Sequence, residues 1–372
     1  MSMTVIRCVE CGQPYPNEGV PFRCPVCGGV FDYDGAPRFD LAFLEDHLPG
    51  YWRYRACFDL AVGAPVVTLG EGNTPLLWEV LSDQPIGLKM ENLNPSGSYK
   101  DRGSAVLVSQ LLGRGVKEAV EDSSGNAGAS FAAYAARAGL KCRIYVPESA
   151  SGPKRRQIEM YGAELITVPG PRSEAARAVL QEVERGVTYA SHAYLPFGLT
   201  GIATIAFEIW EQMGKNAPSS LVAPVGHGGL LLGIVRGFSA LKEGGYIQHV
   251  PYYVGVQAAA CDPVVRAFHG GLREMEFAGE GNTLAEGVRV RQPVRGKALI
   301  KEIQASGGEF LAIDEEMIYQ AYVDLGGRGY YVEPTSALVW AAVKLKLGEL
   351  PQPVVAVLSG NGLKYYPSNE TQ

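Results

Sequence analysis

Several things are missing from this 372-residue chain. No uninterrupted apolar run approaches the ~20 residues of a membrane-spanning helix, so a membrane protein of that kind is not expected. The opening stretch MSMTVIRCVECG has no apolar h-region and no cleavage site, so export is not expected and a cytoplasmic protein is. Positive charge is not in excess. The formal net charge is -6, which argues against a general nucleic-acid binder, because such a protein needs a basic face to neutralise phosphates. There is no internal repeat and no low-complexity tract. Hydrophobic residues make up 47% and charged residues 19%, enough apolar mass for a large core. At roughly 150 residues per domain, the length suggests two or three domains. The polar tail PSNETQ is expected to fray.

Cysteine is sparse, and four of the seven fall into two pairs: Cys8-x-x-Cys11-Gly12 and Cys24-Pro25-Val26-Cys27-Gly28. A glycine after each pair can take the positive φ of a tight knuckle. Two knuckles can set four thiolates tetrahedrally around Zn²⁺, so a short segment folds without a large core. The twelve intervening residues are slightly fewer than the usual ribbon spacing, and a metal-free remnant or a redox pair is the alternative. A redox pair fits poorly, because no βαβ strand precedes the motif. Cys57, Cys142 and Cys261 stand alone in apolar contexts, as a reducing compartment allows.

Residues 37–70 read as a connector rich in aromatic and acidic residues. Beyond residue 86, short apolar strands alternate with amphipathic helices. Strands are expected at 118–122, 141–146, 164–168, 220–225, 252–256 and 353–358. Helices are expected at 101–114, 127–139, 154–161, 172–185, 200–213, 229–242 and 335–347. This alternation implies parallel, doubly wound α/β sheets.

Three small-residue loops follow strands and open helices or turns, where open α/β sheets bind ligands. Ser123-Ser124-Gly125-Asn126-Ala127 lets backbone N–H groups approach an anion such as a carboxylate, with the helix dipole behind them. A plain helix cap is the competing reading. Gly226-His227-Gly228-Gly229-Leu230 resembles a phosphate cradle, though it is neither a Walker A motif nor GxGxxG, and a ligand-free turn is as good a reading of the pattern alone. Ser359, in LSGNG, stands at a strand's carboxyl end, or simply caps a turn. A lysine, Lys100, lies behind the turn formers NPSGS. Its bland reading is a solvated first-turn residue of a helix capped by Ser98. Lysine, carboxylate nest, phosphate cradle and hydroxyl together are the set that pyridoxal phosphate needs.

Seven segments, in order, resemble the pyridoxal-phosphate enzymes of fold type II, the tryptophan synthase β family. They are EGNTPL (71–76), KMENLNPSGSYKDRG (89–103), DSSGNAGAS (122–130), PVGHGGLL (224–231), TLAEGV (283–288), EPTSA (333–337) and LSGNGLK (358–364). Within that family the chain is most similar to the threonine synthases, some of which also carry a cysteine ribbon. The resemblance implies two doubly wound α/β domains with an N-terminal zinc-ribbon extension. The ribbon would occupy 1–36, a large cofactor-binding domain 37–90 with 200–372, and a smaller domain 91–199. Lys100 would hold pyridoxal 5'-phosphate as a Schiff base, Asn126 would bond its 3-hydroxyl, and Gly226 to Leu230, His227 included, would cradle its phosphate. Ser359 would face the pyridine nitrogen. Ser123, Ser124, Gly125 and Ala127 would grip the substrate carboxylate, and Cys8, Cys11, Cys24 and Cys27 would hold structural Zn²⁺. The implied reaction turns O-phospho-L-homoserine and water into L-threonine and phosphate. Serine/threonine dehydration or a cysteate-synthase-like β-replacement is the alternative, and a non-catalytic binding protein a third. The partners implied are a small amino-acid substrate and a second copy of the chain, with no nucleic acid and no membrane. The family commonly has arginine where this chain has Gly198, and asparagine where it has His227. The charged run Lys154-Arg155-Arg156 is read as a solvated helical turn.

Overall fold

The computed structural model describes residues 5–148, 152–279 and 281–365. The tail expected to fray lies outside the described residues. Two compact units are present. One comprises Met1–Glu71, Asn94–Gly201 and Lys364–Gln372, and the other Gly72–Leu93 and Ile202–Leu363. No helix among the described residues is long and apolar enough to cross a membrane.

The first unit is built on a fully parallel four-stranded sheet, in the order Glu164–Val168, Lys141–Pro147, Glu118–Glu121, Thr188–Tyr189. Helices Lys100–Gly113, Asn126–Ala138, Pro153–Met160 and Arg172–Glu184 connect or flank these strands. The alanine-rich helix Asn126–Ala138 gives up little side-chain entropy and ends at Gly139, whose left-handed φ of 66° supplies the C-terminal turn. Val120, Tyr145, Ala175, Val179 and Tyr189 form one core of this unit.

The N-terminal ribbon belongs to the same unit. Its strands Ile6–Cys8 and Phe31–Tyr33 are three residues each and pair antiparallel. The glycines after the cysteine pairs take φ of +72° and +75° and donate back to the Cys8 and Cys24 carbonyls at 2.9 and 2.8 Å, the expected knuckles.

The second unit holds a six-stranded sheet in the order Glu309–Ile313, Tyr252–Ala258, Ser220–Pro224, Val354–Val357, Gln84–Lys89, Leu76–Leu81. All neighbours are parallel except the last pair, a hairpin. The parallel strands at its centre are apolar on both faces, as a sheet covered by helices on both sides requires. Ile86, Leu88, Val222, Val254, Leu338, Trp340 and Val354 pack in its core. Lys89 is fully buried and donates to Glu208 Oε2 at 2.7 Å, to the Thr74 carbonyl at 2.7 Å and to Gln212 Oε1 at 3.0 Å. Glu208 also accepts from the Asn73 backbone at 2.7 Å, so this ion pair fastens the Asn73–Thr74 turn to the end of strand Gln84–Lys89.

The α/β alternation is borne out, each expected strand and helix appearing within two residues of its place. Residues 263–327 also contain helices Pro263–Gly270, Gly296–Ser306 and Glu315–Gly327 and strand Glu309–Ile313, which the periodicity did not single out. Ser98 does not cap the helix that follows. Tyr99 occupies the cap position and no side chain caps there.

The turn before Lys100 is held instead from within. Asp101 is fully buried, and its carboxylate accepts from Ser96 N at 2.6 Å, Ser96 Oγ at 2.5 Å and Ser130 Oγ at 2.6 Å. Gly97, at φ +85°, lets the chain reverse inside those bonds. Lys364 Nζ closes the same turn by donating to the Ser96 carbonyl at 2.7 Å. Asp101→Ala strands these buried donors and is expected to lower the unfolding free energy by about 3 kcal/mol, with Asp101→Asn losing less. Urea unfolding at pH 7 checks this, and equal losses for the two variants would contradict it.

Candidate active site

Lys100 is the first residue of its helix and half-buried, its Nζ 4.8 Å from the centre of the Tyr99 ring. Asp101 connects it to the next helix through Ser130, so the lysine turn and the Ser123–Ala127 loop share one anchor. That loop does not act as an ordinary cap. The residue preceding helix Asn126–Ala138 is Gly125, and no side chain caps the helix there. Ser123 Oγ accepts from Gly125 N at 3.3 Å. The Ser123 carbonyl folds over the first turn so closely that a Cβ at Gly128 would lie 1.8 Å from it, so only glycine fits.

Several residues absent from the sequence-derived set stand in this region. Glu121 ends the strand before the loop and is fully buried; its Oε1 lies 2.7 Å from His192 Nδ1, and its Oε2 accepts from Asp122 N at 2.8 Å. Burial raises the Glu121 carboxyl above its ordinary value. Burial, and then the positive charge of Lys100, hold His192 well below its ordinary value. The ring is therefore neutral at pH 7, and the two groups are within hydrogen-bond distance of one another. Tyr189 donates to Asp122 Oδ1 at 2.7 Å, and Arg172 places a further positive charge near Glu121, Asp122 and His192. The only signal in the sequence was charge at buried strand positions, because Glu121 and His192 are 71 residues apart.

In the second unit, the Gly226–Leu230 loop follows strand Ser220–Pro224 and opens helix Gly229–Glu243. A Cβ at Gly226 would lie 2.9 Å from the Gly287 carbonyl. Gly228 has φ +93°, with the Arg295 backbone 3.4 Å behind where its Cβ would be. The His227 carbonyl accepts from Arg295 N at 3.0 Å, which pins the loop. The loop thus brings bare backbone to a helix N-terminus, chemistry that suits a phosphate. Ser359 stands at the end of the adjacent strand Val354–Val357, buried, 3.5 Å from Ser336 Oγ. Ser336 in turn accepts from Gly360 N at 3.0 Å.

In the charged run Lys154-Arg155-Arg156, Arg155 pairs with Glu159 at 3.4 Å, in keeping with a solvated helical turn. Gly198 packs on the neighbouring helix: a Cβ there would meet the Gly103 backbone at 3.1 Å. A larger side chain needs that backbone to give.

The four ribbon sulfurs lie within 4.8 Å of one another, Cys8–Cys27 at 3.4 Å and Cys11–Cys24 at 3.7 Å. Tetrahedral Zn–S bonds of about 2.3 Å put sulfurs about 3.8 Å apart, so the donor set fits that ion. A Cβ at Gly29 would be 2.7 Å from Cys8 Sγ, so glycine is required beside the cluster.

A lysine on a helix start, a small-residue loop at the next helix and a glycine cradle beside a strand-end serine define the class of fold type II pyridoxal-phosphate enzymes. Comparison with known proteins agrees. The family model described as pyridoxal-phosphate dependent enzyme matches residues 67–360, and the chain belongs to that family. Threonine synthase of Methanocaldococcus jannaschii is 34% identical, with 96% of this chain and 92% of that protein aligned. Threonine synthase of Methanosarcina acetivorans is 32% identical over the same shares. Among solved structures, the threonine deaminase of T.th. superposes with a TM-score of 0.68 at 29% identity, covering 79% of this chain and 94% of that one. Maize serine racemase, at 20% identity and a TM-score of 0.65, shares the fold, with 78% of this chain and 88% of that one covered.

The buried carboxyls make stability depend on pH. Burial, then the neighbouring Glu121, push Asp122 from 3.8 up to about 6. Between those values the folded chain keeps a proton that the unfolded chain has released. The contribution is therefore complete below pH ~4 and is lost as pH rises through about 6. The stability of the wild type relative to Asp122→Asn is expected to fall by about 2–3 kcal/mol from pH 4 to pH 7. Urea unfolding across that range checks it, and a flat difference would contradict the assignment.

Proposed function

We propose that this chain is a threonine synthase, converting O-phospho-L-homoserine and water to L-threonine and phosphate. The observation that carries the reading is the length of the likeness. The two threonine synthases align with 96% of the chain, more than residues 67–360 account for, so the likeness runs into the cysteine ribbon.

Bound pyridoxal phosphate supplies an electron sink for the charge left on Cα when its proton departs. Lys100 would be the covalent anchor and, as a free amine, the base that takes the Cα proton. The same amine would take a Cβ proton as phosphate leaves Cγ, and would return one proton to Cγ and one to Cα, with the hydroxyl at Cβ supplied by water. Asn126 bonds the cofactor's 3-hydroxyl. The backbone of Gly226, His227, Gly228, Gly229 and Leu230 would hold its phosphate, and Ser359 would offer the pyridine nitrogen a neutral hydroxyl. Ser123 and Ser124, with the N–H groups of Gly125 and Ala127, bind the substrate carboxylate. Glu121 and His192, paired with one another, lie within electrostatic reach of Lys100.

Cys8, Cys11, Cys24 and Cys27 hold a structural Zn²⁺. The described cysteines form no disulfide, which suits a reducing compartment, so a cytoplasmic location accompanies the reading. The resemblance also carries a homodimer, which light scattering would report.

The second reading is dehydration of threonine or serine, favoured by the likeness to threonine deaminase at 29% identity and by the close packing at Gly198. One assay separates the two. Protein loaded with pyridoxal phosphate is incubated with O-phospho-L-homoserine, and threonine and free phosphate are measured together. Equal amounts are expected. No threonine, with 2-oxobutanoate formed from threonine instead, would overturn the first reading in favour of the second. Lys100→Ala is expected to lower turnover at least about a thousandfold.

A further inference from the structure

We propose that the cysteine ribbon is a positioning element for the substrate-carboxylate loop, acting through Phe22 and Arg23. The inference rests on the reading of Ser123–Ala127 given above.

Phe22 and Arg23 immediately precede Cys24. Arg23 faces two ways. Its Nη1 donates to the Gly28 carbonyl at 3.0 Å, inside the second knuckle, and its Nη2 donates to Tyr194 Oη at 2.9 Å. The guanidinium carbon lies 4.5 Å from the Tyr194 ring centre. Phe22 packs edge-on against Tyr189 at 5.1 Å and Tyr194 at 5.5 Å. Tyr189 then donates to Asp122, the residue before Ser123. A continuous run of contacts thus joins the Cys24–Cys27 knuckle to the mouth of the carboxylate loop.

A second attachment fixes the segment between the two cysteine pairs. Arg114 Nη1 donates to the carbonyls of Pro16, Asn17 and Gly19 at 2.9, 3.2 and 3.0 Å. Tyr15 packs edge-on against Phe197 at 5.2 Å, next to Gly198. Held at both places, the ribbon packs on Tyr189, Tyr194 and Phe197.

The physical reason for a ribbon here is stiffness. Two three-residue strands do not hold a shape by themselves. Four thiolates closed on one ion do, and the carbonyl that Arg23 bonds belongs to the loop they close. Arg23 and Phe22 then present a fixed surface to the two tyrosines. Without that surface, Tyr189 regains rotamer freedom and Asp122 loses its partner, so the loop samples arrangements that do not match a carboxylate. The cost falls on substrate binding rather than on proton transfer at Lys100.

Two variants test this while leaving all four cysteines in place. The first is Phe22→Ala with Arg23→Ala, and the second is Tyr189→Phe, which removes one hydroxyl and leaves the ribbon untouched. Bound zinc per chain, hydrogen exchange and steady-state kinetics are measured on the protein loaded with pyridoxal phosphate. In both, exchange in residues 118–124 is expected to quicken about tenfold while strand Tyr252–Ala258 is unchanged. KM for O-phospho-L-homoserine is expected to rise about five- to tenfold, with kcat within about twofold. The double variant is also expected to quicken exchange in 187–197. Unchanged exchange in 118–124 in both variants would overturn the proposal, as would a fall in kcat at constant KM. If the wild type makes no threonine, the functional reading fails, and the exchange measurements still decide the coupling.

Discussion

The structure of the first unit turns on one buried carboxylate. Asp101 accepts bonds from Ser96, whose turn delivers Lys100, and from Ser130, on the helix that the carboxylate loop opens. A buried carboxylate left unpartnered is expensive, and this one is satisfied only if both turns are in place. Its hydrogen bonds and the Lys364 charge oppose a burial penalty that still pushes the acid up to about 6. The lysine and the loop are therefore not placed independently. A change that moves one moves the acceptor shared with the other.

Close backbone approaches do the corresponding work at the glycines. Gly128 lets the Ser123 carbonyl fold over a helix start, and Gly226 and Gly228 let a loop lie flat against its neighbours. Each removes a side chain where a ligand's anionic group would need bare N–H groups. The same logic applies at Gly29, where the missing Cβ leaves room for the Cys8 sulfur. The candidate anion loops and the cysteine cluster alike are shaped by what glycine omits.

Much of this was legible in the sequence. Short apolar strands such as SLVAP and VVAV announce parallel sheets, and the cysteine pairs with their glycines announce two knuckles. The strand Glu309–Ile313 was harder to see, since it is short, begins with a charge and lies half-buried at a sheet edge. The following helix had a readable start: Asp314 caps it through Met317 N at 2.8 Å, ahead of Glu315 and Glu316. The Glu121–His192 pair was beyond local reading. Glu121 looks like the edge of a turn until the strand buries it, and His192 reaches it only through the fold. Ser98, the apparent cap, was displaced because the buried Asp101 organises the turn from the other side.

The central claim is that Lys100 is the residue that carries the cofactor. The most direct measurement is borohydride reduction of the protein loaded with pyridoxal phosphate, followed by peptide mapping by mass spectrometry. The account predicts a single phosphopyridoxyl group, on Lys100. A label on Lys89 or Lys364, or no covalent label at all, would contradict it.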